Sequence, residues 1–145
     1  MLKLITSDYI DTLISLVQYS KHEILVCSYI ITPPKHRSGY AYNGLFFELL
    51  LALQRNVEVR FLCDAGSSSA AVRRSVKEFT LFASTHKIPF RLHSFSSKLH
   101  AKFVVVDGLY SIIGSHNFTS TATRSPYELS ILIDEPTISC ELLNY

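Results

Sequence analysis

The sequence predicts an α/β fold: a mixed β-sheet flanked by helices on both faces, in one domain spanning residues 1–145. Three observations carry this expectation. Segments of helical periodicity alternate with strand-length apolar runs through the first two thirds of the chain. An Asp107-Gly108 pair then joins two β-rich runs, a strong hairpin signal. Finally, 145 residues with 48% hydrophobic side chains, five Gly and five Pro suffice for one core and exclude collagenous or low-complexity chains.

Each element follows from its pattern. Ile10, Leu13, Ile14 and Val17 share a helical face, and Ser7 or Asp8 is placed to cap its start. Glu23 to Ile31 is a near-continuous apolar run, closed by Pro33-Pro34, and reads as a buried strand. Gly44 to Arg55 carries Leu45, Leu49 and Leu53 at four-residue spacing, a second helix. Val57 to Cys63 alternates as a strand and stops at Asp64 and a turn-rich loop. Val72, Val76, Phe79 and Ala83 mark a third helix, and Pro89 to His93 a short strand. Lys102 to Val106 and Leu109 to Ile113 form the hairpin. A polar loop from Ser115 to Tyr127 leads to a last strand, Glu128 to Ile133, ended by Pro136.

Composition narrows the function classes. No apolar run approaches the roughly 18 residues that span a bilayer. The first residues lack a long apolar region and a small-residue cleavage site, so no signal peptide is expected. Cys27, Cys63 and Cys140 are odd in number and widely spaced, which points to reduced thiols and a cytoplasmic setting rather than a disulfide framework or structural zinc. A net charge of +2 permits an anionic partner without demanding one.

One stretch carries chemistry. His100 and Lys102, two apart on an expected strand, project to the same side. An imidazole and an ammonium leading into Phe103-Val-Val-Val106 need something anionic or wet beside them, because burying an unpaired cation is costly. The returning hairpin strand brings Gly114, Ser115, His116 and Asn117 to the His100 end. A nucleophile, a fixed cation, a hydroxyl, a carboxamide and a glycine allowing close backbone approach make a phosphate cradle. His93, His100 and His116 share no recognised metal-ligand spacing with an acid or a cysteine, so no metal and no cofactor is expected.

The pattern His-x-Lys-x4-Asp-x6-Gly-Ser-x-Asn, filled by His100, Lys102, Asp107, Gly114, Ser115 and Asn117, resembles the HKD signature of the phospholipase D superfamily. Leu45 through Asp64 resembles the family's helix and following strand, and Tyr127 to Ile131 its late acidic position. The resemblance implies a phospholipase D-like α/β/α sandwich and a two-step phosphodiester transfer. His100 would attack phosphorus, a second histidine would protonate the leaving oxygen, and water would release the phosphohistidine. Lys102 and Asn117 would hold the non-bridging oxygens with help from Ser115, without metal. Glu128 would accept a hydrogen bond from the far nitrogen of His100. Asp107 and Gly114 fall to architecture. One motif per chain with a two-histidine mechanism implies a homodimer with a shared active site. Two departures stand out: Arg124-Ser125-Pro126-Tyr127 occupies the place where the family commonly carries an Asn, and the closing helix is abbreviated.

Small size and a single motif resemble the superfamily's compact bacterial nucleases more than its long lipases. The reading is therefore a metal-independent endonuclease acting on DNA, with no stable membrane insertion. Lys35, Arg37 and Tyr40 lie in a loop that mixes cations with rings, as backbone contact with base stacking requires; a solvated loop explains them equally well. Ser67 to Ser69 with Arg73 and Arg74 is another rim candidate, though an ordinary loop is its default. Two alternatives stay open: a phospholipase or phosphatidyltransferase, and a non-catalytic nucleic-acid-binding module of the same fold.

Overall fold

In the computed structural model, which describes residues 1–65, 69–93 and 98–145, one seven-stranded sheet organises the chain. The elements are β1 (Leu2–Ile5), α1 (Tyr9–Tyr19), β2 (Glu23–Ser28), α2 (Tyr40–Gln54), β3 (Glu58–Asp64) and α3 (Ala70–His86). There follow β4 (Phe90–His93), β5 (Phe103–Val106), β6 (Tyr110–Gly114), β7 (Ser130–Asp134) and α4 (Pro136–Leu143). Strand order is β1-β7-β6-β5-β2-β3-β4. β2, β3 and β4 are parallel, while β5, β6, β7 and β1 join by antiparallel pairing, which gives the mixed sheet.

Alternation along the strands decides the layers. Ile24, Val26, Val59, Phe61, Val104, Val106, Ile112 and Leu132 face one way and pack on buried residues of α1, α2 and α3. Phe46, Phe61 and Phe118 meet edge-on or stacked with centroids 5.6 to 6.4 Å apart. Leu25, Cys27, Phe103, Val105 and Ile113 face the other way, beneath Leu142 and Leu143 of α4. Helices thus flank both faces unequally: three long ones on one side, two turns of helix on the other.

Several boundaries differ from expectation for local reasons. β1 was not expected; it is a four-residue edge strand, registered Leu4 to Ile131 on β7. Asp8 sits at the N-cap of α1, yet its carboxylate accepts from the Thr6 amide and Lys3 Nζ instead of the helix amides. β2 stops at Ser28, because Ser28 Oγ turns to the Ile30 carbonyl at 2.7 Å and ends the ladder. α2 begins at Tyr40, four residues early; Tyr42 is buried and its hydroxyl donates to the Thr32 and Phe118 carbonyls. β7 starts at Ser130 rather than Glu128.

The topology places the site. β5 runs antiparallel to β2, so the end of β2, the start of β5 and the end of β6 meet at one end of the sheet. Asp107 and Gly108 both take positive φ at the far end of the hairpin, as an Asp-Gly turn between twisted strands favours.

Candidate active site

His100 and Lys102 lie in the lead-in to β5 rather than on the strand itself. The segment is nonetheless held in place at both ends. The Leu99 amide donates to Oδ1 of the buried Asp64 at 3.0 Å, and the Gly114 amide donates to the Lys102 carbonyl at 3.3 Å. Lys102 Nζ folds back to within 2.7 Å of the His100 carbonyl and 3.1 Å of His100 Nδ1. The expected convergence of imidazole and ammonium is present, produced by a turn of the side chain more than by strand periodicity.

Tyr29, which sequence reasoning missed, completes the pair. Its ring lies 5.0 Å from the His100 ring, and Lys102 Nζ stands 5.9 Å from its centroid. The contact is non-local, created by the β2–β5 pairing, and the only sequence signal was a Ser-Tyr interruption at the end of an apolar run. His100 and Lys102 line a cleft of about 470 Å³ together with Gly114, Ser115, Leu142 and Tyr145.

The returning strand supplies the other groups. A methyl group added to Gly114 would lie 2.3 Å from the Leu129 carbonyl and 2.4 Å from Ser130 Cα, so only glycine lets β6 approach β7 here. Ser115 Oγ accepts from the Leu129 amide at 2.9 Å and donates to the Leu129 carbonyl at 3.3 Å. Its hydroxyl therefore locks the loop. Asn117 Oδ1 accepts from Ser28 Oγ and the Ile30 amide, both at 3.3 Å. That engagement fixes the amide so that its NH₂ side remains the donor. Ser28 Oγ in turn accepts from the Phe118 amide at 2.9 Å. The Ser28–Asn117 link was also missed, for the same non-local reason.

His116 turns inward. It is buried, stacked 4.1 Å from the Tyr9 ring, with Nδ1 2.8 Å from Ser130 Oγ and, among the described residues, no hydrogen-bond partner for Nε2. Burial lowers its pKa, against the opposing influence of the Glu128 charge and the Thr6 carbonyl. Burial likewise lowers the pKa of Lys102, and the charge of Glu128 opposes it. Among the described residues, the His100 ring hydrogen-bonds Lys102 and not Glu128, so the expected Glu128–His100 contact is absent. The Glu128 charge opposes the effect of burial at both Lys102 and His116. Asp107 accepts from the Lys21, His22 and Glu23 amides at 2.8 to 3.0 Å, an architectural role at the opposite end of β5.

The rim loop separates into unlike parts. Lys35 is tied to Glu78 at 2.5 Å, which also holds Arg74, so its charge is spent within the fold. Arg37 and Tyr40 are exposed and unpaired by any carboxylate among the described residues. Of the serine-rich rim candidate, Ser67 and Ser68 lie outside the described residues. Among the described residues, no three His, Cys, Asp or Glu side chains gather as a metal site requires. Among the described residues, no helix is long and apolar enough to cross a membrane.

A family model described as "Cardiolipin synthase, PLD-like domain" matches residues 13–145. No curated protein matches the chain. Among solved structures, the phospholipase D family member Nuc from Salmonella typhimurium superimposes with a TM-score of 0.74 at 22% identity, over 99% of this chain and 90% of that one. NucT from Helicobacter pylori gives 0.72 at 15% identity, covering 100% and 92%. Phosphatidylserine synthase of Haemophilus influenzae gives 0.72 at 15% identity, over 99% of this chain but 38% of that one. At such identities the likeness is one of fold.

Proposed function

The chain belongs to the phospholipase D-like domain family, and from that premise we propose that it is a metal-independent endonuclease that hydrolyses DNA phosphodiester bonds through a phosphohistidine. The observation that carries the reading is the 3.1 Å contact between Lys102 Nζ and His100 Nδ1 at the mouth of the cleft.

An ammonium donating to Nδ1 places the ring's own proton on Nε2, the resting form. A phosphate entering the cleft draws Lys102 to its non-bridging oxygens, because an ammonium prefers an anion to a neutral ring. Nδ1 then takes the proton and Nε2 presents its lone pair to phosphorus. Bond formation from Nε2 to phosphorus breaks the ester bond, and the leaving oxygen takes a proton from His100 of the partner subunit. That imidazole next removes a proton from water, which attacks phosphorus and frees His100, leaving a phosphate monoester and an alcohol. Lys102 and the Asn117 amide steady the equatorial oxygens.

The homodimer has support in the exposed face of the sheet. Leu2, Leu4, Leu129 and Ile131 are exposed apolar residues, and Ile131 pairs with Ile113 at the cleft wall. Association through them would bury this surface beside the site. The likeness to Nuc and NucT over nine tenths of their length supports the nuclease reading. The same apolar face and the phosphatidylserine synthase likeness favour a second reading, a phospholipid enzyme.

The test is nicking of supercoiled plasmid in excess EDTA beside phospholipid vesicles, with sedimentation mass in parallel. The reading expects plasmid cleavage that His100→Ala abolishes and a mass twice 16.4 kDa. Cleavage that chelator stops and a divalent ion restores would overturn it, and lipid turnover alone would select the second reading.

A further inference from the structure

Gly39 sits at the centre of a cluster that the catalytic reading does not use. A methyl group added there would lie 2.9 Å from Arg124 Nη1, so the Arg124 guanidinium rests directly on the glycine backbone. Arg124 is fixed by its own loop, Nε donating to the Ser120 carbonyl at 2.8 Å, and no carboxylate pairs with it among the described residues. Arg37, two residues before Gly39, is exposed and likewise has no carboxylate partner among the described residues. By contrast, Lys3, Lys35, Arg60 and Arg74 all hold carboxylates.

Two rings neighbour these cations in the chain. Tyr40 is 97% exposed and Tyr127 94%, the highest values of any aromatic side chain among the described residues. A tyrosine ring left that bare has lost the burial that usually repays its apolar surface. Tyr127 stands three residues past Arg124 and one before Glu128, whose charge reaches Lys102. Leu129, two further on, bonds Ser115 on the cleft wall. Arg37 and Tyr40 thus bracket the glycine on which Arg124 rests, and Tyr127 follows Arg124 on the segment leading to Leu129, which is bonded to Ser115 of the cleft.

We infer that this strip binds a single-stranded polynucleotide, its backbone on Arg37 and Arg124 and its unpaired bases on Tyr40 and Tyr127, leading one phosphate to His100. This rests on the phosphodiesterase reading and narrows its substrate. Duplex bases already stack on one another and offer no free face to an isolated ring, whereas single-stranded bases do.

The test is fluorescence anisotropy with a fluorescein-labelled 12-mer, as single-stranded DNA, as RNA and as duplex DNA. It is run in the His100→Ala background so that the probe survives. Tyr127→Ala and Tyr40→Ala should each weaken single-strand binding by about fivefold or more and leave duplex binding alone. Arg124→Ala should flatten the log–log salt slope by about 0.7. Both rings are exposed, so melting curves should not move. Single-strand binding unchanged in both tyrosine variants, or duplex binding lost equally, would overturn the inference. So would Tyr127→Ala releasing the protein from phosphatidylglycerol vesicles while sparing the oligonucleotide. If no substrate is hydrolysed yet the binding losses appear, the catalytic proposal fails and this one stands.

Discussion

Replacing Asp107 separates architecture from chemistry within the motif. Its two carboxylate oxygens accept from three consecutive amides, Lys21 at 2.9 Å, His22 at 2.8 Å and Glu23 at 3.0 Å, and so tie the hairpin turn to the start of β2. A hydrogen bond to a charged group stabilises by about 1.5–3 kcal/mol. Two of these three donors lie at the exposed surface, so the three together contribute on the order of 3 kcal/mol after screening. Asp107 also holds φ at 56°, where alanine is penalised by a further ~1 kcal/mol. Asp107→Ala should therefore lose about 4 kcal/mol, Asp107→Gly about 3 and Asp107→Asn less still, since it keeps one acceptor. Urea unfolding followed by circular dichroism measures the order. Turnover per folded molecule should persist in the cold, because Asp107 is seven residues, about 20 Å of extended chain, from His100. Ala and Gly variants both within about 1 kcal/mol of wild type would refute the reasoning, as would a fully folded variant without turnover.

Gly114→Ala forces a methyl group against two backbone atoms and should cost about 3 kcal/mol or more while displacing Ser115, read by urea midpoint and plasmid nicking together. Glu128→Gln removes the charge that props up the Lys102 ammonium, so the alkaline limb of the pH–rate profile should move to lower pH; an unmoved limb would disconnect Lys102 from that limb. Burial holds the folded pKa of His116 below its ordinary 6.5. Below that pH the unfolded chain binds a proton that the folded one refuses, so stability is lost as pH falls through 6.5 and beneath it. His116→Gln should flatten that part of the stability curve, measured by urea midpoints from pH 5 to pH 8.

What was legible in the sequence was whatever spacing encodes. His100, Lys102, Gly114 and Asn117 stand at motif positions, and the Asp107-Gly108 turn dictates how the hairpin returns them to one end of the sheet. α1, α2 and α3 showed themselves through apolar periodicity. β1 did not, because four residues on a sheet edge with Leu2 and Leu4 exposed carry no inward-facing pattern beyond Ile5. Tyr29 and Ser28 were hidden because their roles exist only once β2 pairs with β5, more than seventy residues away. The Glu128–His100 contact was expected from resemblance, and in the structure the neighbour of His100 Nδ1 is Lys102, a placement set by side-chain folding that spacing does not encode. Lys35 looked available because its partner, Glu78, lies two elements away on α3.

The claim on which the catalytic account rests is that His100 bonds to phosphorus before water does. Each in-line displacement inverts phosphorus, so a covalent route through His100 inverts twice. Cleaving a single Rp phosphorothioate linkage in H₂¹⁸O with EDTA present, then assigning the product's configuration, reads this directly. The account predicts net retention; inversion would mean that water attacks the diester in one step and that His100 is no nucleophile.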